Sequence, residues 1–134
     1  MCAAEALGAE PGERVLDLCA APGGKACRLA GRIGREGLLV ANEIQRGRAK
    51  VLASNLERMG ARAVVTSAEP ERLAEALPQF FDRVMVDAPC SGVGMFRKDE
   101  GAVSDWSEAH VEACARRQSF ILRSACLLYT SRCV

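Results

Sequence analysis

Val84-Met85-Val86-Asp87-Ala88-Pro89-Cys90-Ser91-Gly92-Val93-Gly94 is a short hydrophobic run that ends in an acid, a proline, a thiol and a glycine-rich loop. It reads as a buried strand opening onto a functional site. A second run of the same design lies upstream, Arg14-Val15-Leu16-Asp17-Leu18-Cys19-Ala20-Ala21-Pro22-Gly23-Gly24-Lys25. Both deliver Asp, Cys, Pro and Gly at the carboxyl end of an apolar strand. In open α/β sheets ligands sit outside the carboxyl ends of strands, where the strand order reverses. Two such ends side by side would make one pocket.

The rest of the chain alternates in the way such a sheet requires. After a short Ala-rich helix over residues 1–7 and a Gly/Pro turn, strand Arg14 to Leu18 leads into a helix over Lys25 to Ile33, which Gly34 stops. Strand Leu38 to Ala41 ends in Asn42-Glu43. A helix from Gly47 to Met59 follows, with Ala49, Val51, Leu52, Leu56 and Met59 as its apolar positions and Gly60 as its stop. Ala63 to Thr66 is the third strand, and Pro70 fits the first turn of a helix carrying Leu73, Ala74 and Leu77 inward. Phe80 to Val86 is the fourth strand. Ser107 to about Ala125 is a long helix with Val111, Cys114, Gln118, Ile121, Leu122 and Ala125 on one face. Short apolar strands alternating with helices predict an α/β fold with a doubly wound parallel sheet and right-handed crossovers.

Composition bounds the function. The chain has 134 residues, 49% of them apolar, enough for one domain with a modest core. No apolar run approaches the roughly 18 residues of a membrane span, and no secretory signal is visible. Acids and bases are interspersed, with a formal net charge of +1, so no global field announces nucleic acid or excludes it. The seven cysteines lack paired spacing and read as reduced thiols of a cytoplasmic protein. A lone His110 and dispersed thiols do not supply a zinc set, so no metal is expected.

Ala20-Ala21-Pro22-Gly23-Gly24 has neither the GxGxxG spacing of a dinucleotide fingerprint nor the GKS or GKT ending of a P-loop. A small backbone here still lets a ligand approach closely, and Glu43 stands where an acid accepts hydrogen bonds from a ribose diol. Ribose without pyrophosphate points to S-adenosylmethionine; a tight turn with no ligand is the alternative. At the other loop, a thiolate placed against C6 of a pyrimidine would turn C5 into a nucleophile toward a methyl donor, with Asp87 on the base edge. Cys90 is the candidate; Cys19, Cys27 and Cys114 read as packing thiols. Met95, Phe96, Arg97 and Lys98 set an apolar and aromatic pair beside two cations, suited to stacking a base and meeting a phosphate, or equally to a solvated loop pinned by Phe96. Trp106 and His110 read as packing residues.

DLCAAPGGKA (17–26), ANEIQRGRAKVLASNLERMG (41–60), FFDRVMVDAPCSGVGMFRKD (80–99) and the W-S-x-x-x-V-x-x-C-x-x-R-Q helix from Trp106 together resemble the RsmB and RsmF group of RNA cytosine-5 methyltransferases. The likeness is closer to RsmF-type enzymes, which modify 16S ribosomal RNA, and it covers nearly all of residues 3–125. It implies a Rossmann-like methyltransferase sheet binding S-adenosylmethionine, with RNA, 16S rRNA or the small ribosomal subunit, as partner. It also implies roles: Cys19, Ala20, Ala21, Pro22, Gly23, Gly24 and Lys25 lining the cofactor, Glu43 holding the ribose hydroxyls, and Glu69 meeting the adenine. Asp87 would stand between cofactor and cytosine, and Phe96, Arg97 and Lys98 would contact RNA. In the family the thiol at Cys90 assists product release, and the attacking thiol comes from a later Ser-Thr-Cys strand.

That strand has no counterpart here. Residues 1–125 are therefore expected to be a partial catalytic domain, its C-terminal strands missing and inactive alone. Its fourth strand would be an unpaired apolar edge. Residues 126–134 are expected to be a non-native tail, because codons for that stretch can be chosen that resemble a transposon mosaic end joined to its inverted copy, a sequencing or cloning scar. Cys133 is not read as the nucleophile.

Overall fold

In the computed structural model, residues 3–90 and 107–129 are described. Among these described residues nine elements follow in order: α1 Ala3–Ala6, β1 Arg14–Asp17, α2 Gly24–Ile33, β2 Leu38–Asn42, α3 Arg46–Arg58, β3 Val64–Thr66, α4 Pro70–Ala76, β4 Arg83–Met85 and α5 Glu108–Leu128. The four strands form one parallel sheet in the order β3-β2-β1-β4. Consecutive strands step outward from β1 to β3, and the chain then returns to the other side of β1. The order therefore reverses between β1 and β4, which places a crevice above Asp17 and Met85, the last paired residues of that ladder.

Strand periodicity divides the core into two layers. Val15, Leu39, Ala41 and Met85 pack with Leu29 and Ile33 of α2 and with Leu52 and Leu56 of α3. Leu16, Leu18 and Val40 point the other way, onto Leu73 of α4 and Ile121, Ala125 and Leu128 of α5. Helices thus cover both faces, which is why these strands read as nearly continuous apolar runs. At Gly37 a side chain would drive a Cβ to 2.6 Å from Ile33 Cβ, so glycine lets β2 start tight under the end of α2.

The amino ends of the two central strands are latched by charge. Asp82 Oδ2 accepts from the Arg14 amide at 2.8 Å and from Arg14 Nε at 3.3 Å, while Arg83 Nε donates to Glu13 Oε2 at 2.9 Å. This latch shortens the fourth strand relative to its expected start at Phe80. The amides of Gln79 and Phe81 instead donate to Leu127 O and Leu128 O, and Phe81 bridges to Tyr129. Helix α5 continues three residues past Ala125, and Leu128 is fully buried.

The apolar stripes are narrower than expected. Val51 and Met59 of the third-helix region are exposed, as are Val111 and Leu122 on α5. On α3 only the Ala49, Leu52, Leu56 stripe faces the sheet. On α5 the covered stripe is Cys114, Ile121, Ser124, Ala125 and Leu128. No described helix is long and apolar enough to cross a membrane.

Candidate active site

Three loops leave the carboxyl ends of β1, β2 and β4 and meet at the crevice. The first, Leu18 to Gly23, is tied down by its backbone. Leu18 N donates to Met85 O at 3.0 Å and Ala20 N to Asn42 O at 2.8 Å, so both neighbouring strands hold it. Asn55 Nδ2 reaches Pro22 O at 2.8 Å, and Arg48 Nη2 reaches Ala21 O at 3.3 Å, both from α3. Gly23, the N-cap of α2, has φ 114°, a value that side chains disfavour, and a Cβ there would lie 3.1 Å from Leu52 Cδ1. The turn is therefore small, buried at Gly23, and presents backbone rather than side chains.

The second loop carries Asn42 and Glu43, both buried. The Asn42 side chain is fully engaged. Its Nδ2 donates to Leu18 O at 3.3 Å and Ala68 O at 3.0 Å, and its Oδ1 accepts from Thr66 Oγ1 at 2.8 Å and Ala68 N at 3.1 Å. One amide thus fastens together the ends of β1, β2 and β3. Glu43 is 4% exposed. Its Oε1 accepts from Gln45 N at 3.0 Å and its Oε2 lies 3.4 Å from Arg48 Nη1. Arg48 therefore spans the first two loops, neutralising the buried carboxylate while each carboxylate oxygen keeps acceptor capacity.

The third loop follows β4. Asp87 is half exposed and pairs with Lys25 from the first turn of α2. Gln118 Nε2 of α5 donates to Pro89 O at 2.9 Å, fixing the backbone just before the exposed Cys90. Cys19, Ala21, Glu43, Glu69, Asp87 and Cys90 all face one open cavity of about 1250 Å³. Of the residues the sequence singled out, these six are brought together there. Ala20, Pro22, Gly23 and Gly24 shape the turn beneath, and Lys25 reaches the cavity through Asp87. Phe96, Arg97 and Lys98 lie outside the described residues.

Two groups under the cavity have shifted protonation. Asp17 is 1% exposed, and among the described residues neither carboxylate oxygen has a hydrogen-bond partner of normal geometry. Burial pushes its carboxyl up to about 7, against the Cys19 backbone and the charge of Lys25, and the negative charge of Asp87 adds to the shift. The Cys19 thiol is pushed up to about 11, by burial first and then by Asp17, Glu43 and Asp87. Cys19 is thus a neutral wall of the site at neutral pH, and Cys90 is the exposed thiol facing the cavity. Sequence reasoning placed Asp17 at the strand end without a role and gave none to Asn42 or Arg48.

A doubly wound sheet with an acid at the end of β2 and a glycine turn after β1 is the framework of nucleoside-binding α/β enzymes, and solved structures narrow it to methyltransferases. A methyltransferase homolog protein from Pyrococcus horikoshii superposes with a TM-score of 0.74 at 28% identity, covering 90% of this chain and 37% of its own. Residues 4–131 match the family described as 16S rRNA methyltransferase RsmB/F, and the chain belongs to that family. Ribosomal RNA small subunit methyltransferase F of Serratia proteamaculans is 44% identical over 119 residues, 88% of this chain and 25% of that protein. Its counterpart from Vibrio vulnificus is 43% identical over 120 residues, 89% of this chain and 25% of that protein. The chain spans about a quarter of the length of these curated relatives.

Proposed function

We propose that this chain forms the cofactor-holding part of an enzyme that methylates C5 of cytosine in RNA, with 16S rRNA as the substrate and S-adenosylmethionine as the methyl donor. The observation that carries the reading is the placement of Glu43 and Asp87 on either side of β1, facing one cavity with Cys90, three residues after Asp87. The donor set fits a sulfonium nucleoside. Glu43 would hold the ribose diol, the backbone of Cys19 to Gly24 the amino-acid portion, and Glu69 the adenine amino group. Bound there, S-adenosylmethionine supplies an electrophilic methyl group.

Asp87 is assigned to the pyrimidine edge, held in place by Lys25. Addition of a thiolate to C6 places an electron pair at C5; after methylation, loss of the C5 proton and departure of the thiolate restore the ring. Cys90 is assigned to the release step, and Phe96, Arg97 and Lys98 to RNA. A second reading makes Cys90 the attacking thiol, favoured by its exposure on the cavity. RNA carrying 5-fluorocytosine, whose C5 cannot lose a proton, discriminates when it is offered to the wild-type and Cys90→Ala forms of the full-length protein, which carries the later Ser-Thr-Cys strand of the family. Persistence of the covalent adduct in Cys90→Ala supports release, and its loss assigns the attack to Cys90. Calorimetry with S-adenosylmethionine tests the cofactor site itself: Glu43→Ala is expected to abolish binding, and equal binding by both proteins would remove the reading's foundation.

A further inference from the structure

We propose that Phe120 and Arg117 of α5 form a second nucleotide subsite in the same cavity, taking a base and phosphate of the RNA strand beside the target cytosine. The inference rests on the RNA reading above. Phe120 lines the cavity although it is 58% exposed, and Arg117 lines it one helical turn earlier on the same side of α5. Arg117 is exposed and lies on the same helical stripe as the buried Ile121, Ser124 and Leu128, and Arg117 and Ile121 both line the cavity. Among the described residues Arg117 has no ion-pair partner, and the acids that share the cavity are Glu43, Glu69, Glu71 and Asp87.

Charge decides which ligand this pair fits. A ring and a guanidinium one turn apart stack a base and meet a phosphate. S-adenosylmethionine carries no phosphate, and its carboxylate is assigned above to the backbone of the glycine turn. A nucleotide within an RNA strand has both groups. Space allows it, since a cavity of about 1250 Å³ exceeds the roughly 300–1,000 Å³ of a typical single-ligand site. The subsite is also fixed next to the target position, because Gln118, between Arg117 and Phe120, donates to Pro89 O in the loop that carries Asp87 and Cys90.

The test is fluorescence anisotropy of a short labelled single-stranded RNA containing cytosine, with the chain saturated by S-adenosylmethionine, alongside calorimetry with the cofactor alone. Phe120→Ala is expected to weaken RNA binding roughly tenfold and Phe120→Trp to keep it, as stacking tolerates any flat ring. Arg117→Ala is expected to reduce the slope of log affinity against log salt by about 0.7, the share of one single-strand phosphate. Cofactor affinity should stay within about twofold in all variants, since neither residue is assigned to the cofactor. RNA affinity and salt slope equal to wild type in both alanine variants would overturn the subsite alone. Loss of cofactor affinity in Phe120→Ala would overturn it by assigning the ring to the adenine. Failure of the wild-type chain to bind any RNA would sink the RNA reading and the subsite with it.

Discussion

Lys25, in the first turn of α2, forms an ion pair with Asp87, 62 residues later, across the point where the strand order reverses. The pair joins the glycine turn to the acid loop. With side chains 39% and 55% exposed it contributes little to stability. Its effect is on position: it holds one carboxylate oxygen of Asp87 and so orients the other. Lys25→Met is expected to change unfolding free energy by no more than about 1 kcal/mol. The same substitution should lower S-adenosylmethionine affinity about tenfold, measured by calorimetry. A large drop in melting temperature with normal binding would show the pair to be structural.

Asp17 gives the fold a pH dependence. Its carboxyl is raised from 3.8 to about 7 in the folded chain, so the folded state holds a proton that the unfolded state gives up. Stability from this group is therefore complete below pH 4 and is lost as pH rises toward and through 7. The total is on the order of 4 kcal/mol. Asp17→Asn keeps the shape and removes the titration. Denaturant unfolding at a series of pH values should show wild type losing stability between about pH 4 and 7 relative to Asp17→Asn. Parallel curves for the two proteins would mean that Asp17 stays ionised.

Asn42 fastens three strand ends, so its loss should be felt in both stability and binding. Asn42→Leu leaves the Leu18 and Ala68 carbonyls and the Ala68 amide without this partner, at about 2–4 kcal/mol. Thr66→Val removes only one bond to the same network, at about 1 kcal/mol. Because the two share that bond, the double variant should lose less than the sum. Urea melts of the two single variants and the double variant give the comparison. Strict additivity would show that Thr66 stabilises β3 without Asn42.

The parts of this architecture legible in the sequence are those that repeat along one strand. Val15 and Leu16 announce a two-sided strand by themselves, and Asp87-Ala88-Pro89-Cys90 announces where it opens. Family motifs extend this to Glu43, because an acid at that strand end has a characteristic place. What stayed hidden depends on partners far along the chain. Asn42 reads as an ordinary strand terminus until Thr66 and Ala68 arrive beside it, and Arg48 as a solvated helix charge until Ala21 and Glu43 converge on it. Val51 and Leu122 were assigned inward because a helical period fixes spacing but not how wide a stripe the neighbouring layer covers. The late start of the fourth strand was equally invisible, since Phe80-Phe81 extend its apolar run while Asp82 is claimed by Arg14.

Gly23 separates the shape of the glycine turn from its composition. At φ 114°, any side chain is strained, and a Cβ would also press on Leu52 Cδ1 at 3.1 Å. Gly23→Ala is expected to cost about 1–3 kcal/mol from the backbone alone, plus whatever displacement of Leu52 adds. Gly24 is a useful contrast, since it has no positive φ and a Cβ there meets nothing within 4 Å. Gly24→Ala, in the first turn of α2, should leave stability the same or raise it by up to about 1 kcal/mol. Thermal unfolding of the two alanine variants, followed by cofactor titration, distinguishes them. If Gly23→Ala tolerates heat and binds S-adenosylmethionine as wild type does, the turn does not depend on its left-handed residue and the cofactor does not rest on that backbone.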